Sequence, residues 1–279
     1  MKVLAVHAHP DDESIWTGGA LARFARQGGA VTVLTCTGGE EGEIIGRAEI
    51  VDDLAQFRQE ELDRALEILQ VNGELLGLRD SGMAGSAASQ HPEALVNNVS
   101  AAADAVEKLL REQRPDLVIT YGPDGGYGHP DHIAAHEATH LALSRVHADG
   151  LDPEVWWSVL YRPGVVEGQQ HFALPEGWQW PSQEYLFNGT DEIADVELQL
   201  SYYEVTAKRE AMAAHATQVW IADGRTSRVN PDSVQTNYDE SLAGVYALSN
   251  LYAYPISRTE HYQRPFGPGK FSRAQESSQ

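Results

Sequence analysis

Three features of the sequence predict an α/β fold, Rossmann-like, with a mostly parallel sheet and helices on both faces. Strand-like apolar runs alternate with amphipathic helix-like stretches through the first half of the chain. The runs at 30–36 and 116–121 are dense in β-branched and apolar residues, as strands buried on both faces are. Loops rich in acids or glycine follow these runs, where such sheets place their ligands.

Taken in order, residues 3–6 form a short apolar strand and 14–26 an amphipathic helix. The strand at 30–36 opens into the loop 37–43. Residues 52–70 carry Leu54, Phe57, Leu62, Ala65, Leu66 and Leu69 at helical spacing. A weak strand at 74–78 ends in the loop 79–85. The helical pattern recurs over 92–113, through Val99, Ala103, Val106 and Leu110. The clearest strand, 116–121, opens into the glycine-rich loop 122–129, and a helix over 131–146 and a strand over 155–161 follow. Beyond it the signals weaken. Residues 163–184, rich in Pro, Gly, Gln and Trp, read as a linker or irregular lobe, and 197–214 reads as one helix with Leu198, Tyr202, Val205 and Met212 on one side. The polar tail after about 271 reads as disordered. The expected organisation is a metal-binding catalytic core over 1–162 and a C-terminal lobe over 163–279 that completes the substrate pocket.

Composition narrows the function. A formal charge of −21 and a pI near 4.8 argue against nucleic acid and against anionic membrane surfaces as partners. A small neutral or cationic molecule fits better. The single cysteine, Cys36, rules out an intrachain disulfide and reads as core, since it falls inside a strand. No run approaches the roughly 20 apolar residues of a membrane helix. The first apolar run is broken by His7, unlike a signal peptide, so the cytoplasm is the expected setting.

Chemistry concentrates in two places. The stretch Val6-His7-Ala8-His9-Pro10-Asp11-Asp12-Glu13 sets two histidines and three carboxylates at a strand-to-helix junction, a charge density that calls for a cation. The stretch Tyr127-Gly128-His129-Pro130-Asp131-His132 follows the clearest strand. Either H-P-D alone is often only a helix cap. Together they supply His9, Asp12 and His132, a two-histidine, one-carboxylate set that suits zinc in hydrolases and iron(II) in oxygenases. Asp11, His129 and Asp131 are surplus to ligation. Hydrolysis needs such a base and acid, which favours a hydrolase. A phosphate site is the weaker rival for this fold, because the first loop lacks G-x-G-x-x-G and carries acids. A competing metal motif, His136-Glu137-Ala138-Thr139-His140, matches H-E-x-x-H. On a helix His140 would lie about 11 Å along the axis from His132, too far to share its ion, and the first cluster would be left without a purpose.

A-H-P-D-D-E near the N-terminus with a later H-P-D-H resembles the PIG-L/LmbE family of zinc-dependent N-deacetylases. T-C-T-G-G-E-E-G-E-I-I-G, R-D-S-G-M-A-G, G-G-Y-G-H-P-D-H and A-H-A-T-Q-V resemble the members of that family that act in mycothiol biosynthesis. The resemblance is dense over 1–140 and returns near 209–220. It implies removal of acetate from N-acetylglucosaminyl-inositol, with cleavage of mycothiol S-conjugates as the sister activity. It implies one Zn2+ per subunit, or Fe2+, held by His9, Asp12 and His132. Asp11 would be general base and then acid. His129, positioned by Asp131 and taken as protonated, would stabilise the oxyanion with Tyr127. Arg58, Asp80 and Met83 would line the inositol subsite. Read on their own, Arg58 is equally a surface charge and Asp80 a turn former. Glu43 and Gln218 are further candidate substrate contacts, against exposed solvation for Glu43. His215 reads equally as a helix-end cap, and Glu13 as a carboxylate favoured by the helix dipole. A metal-holding or sugar-binding protein without turnover is the alternative of another class.

Overall fold

The computed structural model describes residues 1–182, 184–186, 192–237 and 242–265; the polar tail read after about 271 lies outside them. Strands β1 (Lys2–His7), β2 (Ala30–Thr37), β3 (Asn72–Leu78), β4 (Leu117–Tyr121) and β5 (Glu154–Val159) lie parallel in the order β3-β2-β1-β4-β5. Helices α1 (Asp12–Arg26), α2 (Leu54–Leu69), α3 (Val99–Gln113) and α4 (Pro130–His147) connect them.

Alternation along β1 shows how the sheet is covered. Val3 and Ala5 face one cluster with Leu21 and Phe24 of α1 and Leu62 and Leu66 of α2. Leu4 and Val6 face the other, with Val106 and Leu110 of α3, Leu143 and Val146 of α4, and the buried Cys36. The helices after β1 and β2 therefore lie on one face and the pair flanking β4 on the other. The change of face falls between β1 and β4, which open a crevice at their C-terminal ends. Both histidine motifs emerge there.

The second half extends this sheet. After α5 (Arg162–His171) the chain forms β6 (Val196–Gln199), α6 (Tyr202–Ala214), a small antiparallel sheet of β7 (Trp220–Ile221), β8 (Val245–Ala247) and β9 (Ala253–Pro255), and then β10 (Thr259–Gln263). β10 pairs antiparallel with β5 and β6 with β10, giving a seven-stranded sheet. The expected boundary at 162/163 is thus crossed by sheet hydrogen bonding. Three local readings are corrected. Residues 163–184 are not wholly irregular: α5 begins with Pro163 in its first turn, where a missing N–H costs nothing. Residues 197–214 are a strand and then a helix. Val196 and Leu198 alternate with exposed Glu197 and Gln199, and Ser201 and Glu204 close a capping box that starts α6. The helix expected over 92–113 starts only at Val99, after a short 3-10 turn at Leu95–Asn97.

Glu260 of β10 fastens the halves together. Its Oε1 accepts from the Gly19 N–H (2.8 Å) and Lys208 Nζ (2.7 Å), and its Oε2 from the Ala20 N–H (2.8 Å) and the Tyr262 hydroxyl (2.7 Å). A Cβ at Gly19 would lie 2.4 Å from Leu200 Cδ1, so a larger residue there would have to displace the Leu200 side chain. Among the described residues no helix is long and apolar enough to cross a membrane.

Glu204 provides a test of the second half. Burial alone would raise its pKa, but the Arg23 guanidinium (2.7 Å) and the Ser201 N–H (2.7 Å) outweigh it and hold the carboxyl below its ordinary value. A depressed folded-state pKa contributes stability above the unfolded value of about 4.3, and that stability is lost as pH falls through the folded value. Glu204→Gln should cost about 1 kcal/mol at pH 7, with the deficit against wild type shrinking below about pH 4. Urea denaturation at both pH values measures it.

Candidate active site

Ala8 and His9 leave β1 braced on both sides. The Ala8 N–H donates to the Tyr121 hydroxyl (2.8 Å) at the end of β4, and the Thr37 N–H donates to the Ala8 carbonyl (2.9 Å) from the end of β2. From β4 the chain turns through Gly125 (φ +66°) and Gly126 (φ +79°), whose added Cβ atoms would lie 2.8 Å from His132 Cβ and 2.7 Å from the Trp16 ring. Glycine is required there for the loop to close over α1. The result brings His9, Asp12, His129, Asp131 and His132 together, all buried.

The hydrogen bonds fix which ring nitrogens are free. His132 Nδ1 lies 3.0 Å from the Gly125 carbonyl, which can only accept, so Nδ1 carries the proton. Burial, opposed by Asp12 and reinforced by His9, pushes His132 down to about 4, so the ring is neutral and Nε2 is a bare lone pair. That nitrogen is buried without a hydrogen-bond partner and lies 3.4 Å from Asp12 Oδ2. On the other ring, His9 Nε2 faces Asp131 Oδ2 (3.3 Å) and Asp80 Oδ1 (3.6 Å), while Nδ1 faces Asp12 Oδ2 (3.4 Å). Burial works against charge on His9, but Asp80, Asp12 and Asp131 outweigh it and raise its pKa well above the ordinary value. The cluster is short of positive charge.

A metal ion answers both deficits. Around tetrahedral zinc, with bonds near 2.0–2.1 Å, ligand atoms stand ~3.3 Å apart. The Asp12 Oδ2 separations from His9 Nδ1 and His132 Nε2 match that edge. Two sets of other composition place three ligand atoms within 4.8 Å of one another, His9 with His129 and His132, and His9 with Asp80 and Asp131. In the second, Asp131 Oδ2 already accepts from the Ser81 N–H (2.8 Å) and Asp80 Oδ1 from the Gly82 N–H (2.8 Å), and the set leaves the unpartnered His132 Nε2 unused. Asp12 is held in place by the His9 N–H (2.9 Å), by Trp16 Nε1 on its Oδ1 (3.1 Å) and by the Tyr121 hydroxyl.

Asp11 stands beside this set in an unusual backbone state. It precedes α1 with φ 115° and ψ −31°, and its carboxylate makes no cap hydrogen bond to the helix. Such a conformation costs a non-glycine residue on the order of 1–3 kcal/mol and tends to persist where function needs it. The carboxylate turns instead to Arg58, 3.2 Å away. Burial pushes Asp11 up to about 7, against the pull of Arg58 and with the help of Asp12.

Other expected residues fall around the same space. A cavity of about 620 Å³ is bordered by His9, Asp11, Asp12, Tyr127 and His129, and by Arg58, Asp80, Met83, Glu43 and Gln218. Arg58 is no surface charge: it is buried and donates to the carbonyls of Gly39 (2.6 Å) and Pro10 as well as to Asp11. Asp80 is buried against His9, which, despite burial, holds its carboxyl well below the usual range. Met83 and Glu43 are exposed at the rim, Gln218 is buried beside Thr217, and Tyr127 stacks on Trp16.

Two expectations are corrected. Asp131 meets His129 through its backbone N–H, which donates to Nδ1 (3.2 Å); its carboxylate serves His9 and Ser81. His129 is not an imidazolium either. Burial, with His9 and His132 close by, pushes its pKa down to about 3, so the ring is neutral and presents Nε2–H as a donor. Two buried residues were undervalued. Glu13, read as a helix-end carboxylate, is fully buried against His215, itself read as a cap. The signal available in the sequence was a second histidine motif, A-H-A-T-Q-V, at the end of a helix. The H-E-x-x-H residues face elsewhere: His136 Nδ1 meets the Tyr121 carbonyl (2.9 Å) and His140 Nε2 accepts from Trp157 (2.9 Å). Glu137→Ala should therefore leave turnover and metal content within about twofold of wild type, read by amine release and elemental analysis; a loss of 100-fold or more would restore the zincin-type site.

The family model described as PIG-L: GlcNAc-PI de-N-acetylase matches residues 4–143. A Corynebacterium glutamicum protein named 1D-myo-inositol 2-acetamido-2-deoxy-alpha-D-glucopyranoside deacetylase is 46% identical, over 94% of this chain and 90% of its own length. A Rhodococcus jostii protein of the same name is 41% identical over 94% of this chain and 90% of its own. Among solved structures, a teicoplanin-pathway deacetylase aligns at TM-score 0.52 and 21% identity, covering 78% of this chain and 84% of that one. The hydratase GalB from Pseudomonas putida KT2440 aligns at TM-score 0.52 and 19% identity, covering 77% and 82%. One fold thus carries both a hydratase and a deacetylase, so these two likenesses speak to architecture alone. The family match and the identity over nearly the whole chain speak to more: the chain belongs to the PIG-L family of de-N-acetylases.

Proposed function

We propose that this enzyme is a zinc-dependent deacetylase that removes acetate from 1D-myo-inositol 2-acetamido-2-deoxy-alpha-D-glucopyranoside, a step of mycothiol biosynthesis. The observation that carries the substrate is that relatives named for it are 41–46% identical over 94–95% of the chain. The zinc would be held by His9 Nδ1, Asp12 Oδ2 and His132 Nε2, one ion per subunit, with iron(II) an acceptable substitute for the same donors. When bound, zinc lowers the pKa of its water to about 7 and polarises the acetyl carbonyl.

The chain's own groups supply the proton chemistry. An amide is a poor electrophile with a poor leaving group, so attack and departure both need help. Asp11 borders the cavity beside the ligands, and its pKa, raised by burial, suits it to accept a proton near neutral pH. It takes a proton from the attacking water as the C–O bond forms. It returns that proton to the nitrogen as the C–N bond breaks, releasing acetate and the amine. His129 donates Nε2–H to the developing oxyanion, with Tyr127 beside it. One well-placed donor is worth about 3–4 kcal/mol in such a role. Asp131 serves as the anchor of His9, accepting Nε2–H so that Nδ1 stays free for the ion.

Arg58 and Asp80 border the cavity and, with Met83 at its rim, would line the inositol subsite; Glu43 at the rim and Gln218 on the wall are further candidate contacts. Arg58 does double duty, since it also holds Asp11. Residues from the C-terminal lobe, including Tyr246, Tyr254 and Ile256, complete the enclosure.

With zinc or iron(II) supplied, the protein should release amine from N-acetylglucosaminyl-inositol faster than it cleaves a mycothiol S-conjugate. Faster cleavage of the conjugate would assign the sister amidase activity instead. Asp11→Asn should lower kcat by about 10²–10⁴-fold while metal content, by elemental analysis, stays unchanged. An undiminished rate would remove Asp11 from the mechanism.

A further inference from the structure

Glu13 and His215 have no part in the steps above, yet both are fully buried. His215 Nε2 lies 2.7 Å from Glu13 Oε1, which also accepts from the Ser14 hydroxyl. The other oxygen, Oε2, accepts the backbone N–H of Asp11 (3.0 Å). Burial works against ionising either partner, but their mutual attraction depresses the pKa of Glu13 and raises that of His215.

The consequence lies in the backbone of Asp11. An aspartate at the start of a helix ordinarily turns its carboxylate inward to cap the first free N–H groups. Asp11 does not, because its φ of 115° swings the carboxylate away from α1 and toward Arg58 and the cavity. The Asp11 carbonyl remains in the helix, accepting from the N–H groups of Ser14 (3.0 Å) and Ile15 (2.9 Å). With the carbonyl fixed there, the direction of the N–H sets φ, and Glu13 Oε2 is what the N–H meets. Glu13 is in turn held by a residue from the far end of the sequence. His215 closes α6, and its neighbour Thr217 is pinned to α2 by Glu61, through the backbone N–H (2.9 Å) and the hydroxyl (2.6 Å). Joining α6 to α1 does not need this pair, since Lys208 and Glu260 already bind α6 to the Gly19 and Ala20 turn of α1.

We propose that Glu13 and His215 are a positioning pair: they fix the backbone of Asp11 at positive φ and so aim its carboxylate at the reacting centre. The proposal rests on the reading of Asp11 as the proton carrier. It makes the seating of α6 a condition for placing the base, so the C-terminal lobe contributes to turnover as well as to enclosure.

Two substitutions of similar volume separate positioning from packing. Glu13→Gln keeps an oxygen to accept the Asp11 N–H, whereas Glu13→Met does not. A misplacement near 1 Å can cost about 10²-fold, so Glu13→Met should lower kcat by roughly 30–100-fold with KM within about twofold. Glu13→Gln should recover to within about fivefold of wild type. On an Asp11→Asn background neither change should slow the enzyme further, because both act through Asp11. Losses that multiply with that of Asp11→Asn, or a loss confined to KM, would overturn the proposal. Should Glu13→Met not fold, His215→Leu takes its place in the cycle; it removes the donor that holds Glu13, and should cost about tenfold, again absent on the Asp11→Asn background. Crystal structures supply a readout independent of substrate. Asp11 should leave positive φ in Glu13→Met, or in His215→Leu as its replacement, and keep it in Glu13→Gln. Retention of positive φ when the anchor is lost would contradict the proposal even if the wild-type protein proved inactive on N-acetylglucosaminyl-inositol, a result that would refute only the substrate assignment.

Discussion

Three polar groups meet at one buried point of this molecule: the unpartnered lone pair of His132 Nε2, the carboxylate of Asp12 and the Nδ1 edge of His9. The Gly125 carbonyl commits the His132 proton to the other side of that ring, and Asp131 does the same for His9. The His132 lone pair and the Asp12 carboxylate stand 3.4 Å apart in a buried place, where they repel and burial denies them the water that would ordinarily compensate. A cation is the economical resolution. Much of the surrounding architecture makes sense as a device for holding these atoms open to one.

The fold provides that device by geometry. The change of face between β1 and β4 opens a crevice, and one motif enters from each strand. Both are then locked from outside. Tyr121 and Thr37 brace Ala8, Trp16 and Tyr121 orient Asp12, and Ser81 orients Asp131. Such outer contacts fix tautomer and ring direction before an ion arrives. The same economy extends to the proposed base. In the proposed mechanism Asp11 lies beside the ligands without joining them, and its backbone, at φ 115° with no side-chain cap hydrogen bond, suits that place.

The two H-P-D motifs, each after a strand and before a helix, were legible because spacing and strand order together imply convergence at one sheet edge. Other roles were not. Asp131 follows His129 by two residues, so the sequence suggests a pair, but a helix start sends the backbone N–H to His129 and the carboxylate across to His9. The charge state of His129 depends on burial beside two other rings, which no local pattern encodes. Glu13 and His215 lie 202 residues apart, and only the packing of α6 on α1 joins them. In the second half, alternation over Val196–Gln199 and the Ser201–Glu204 capping box were readable but brief, and the longer helical period over the following residues masked them.

The ligand assignment is the claim on which the rest depends, and two other arrangements of donors around His9 compete with it for the ion. The most direct test is a crystal of the zinc-loaded protein, with the metal located by anomalous scattering at the zinc edge. The account places the ion between His9 Nδ1, Asp12 Oδ2 and His132 Nε2, with Asp11 outside its coordination sphere. An ion on the opposite side of the His9 ring, bound through Nε2 with Asp80 and Asp131, or one coordinated by Asp11, would contradict it.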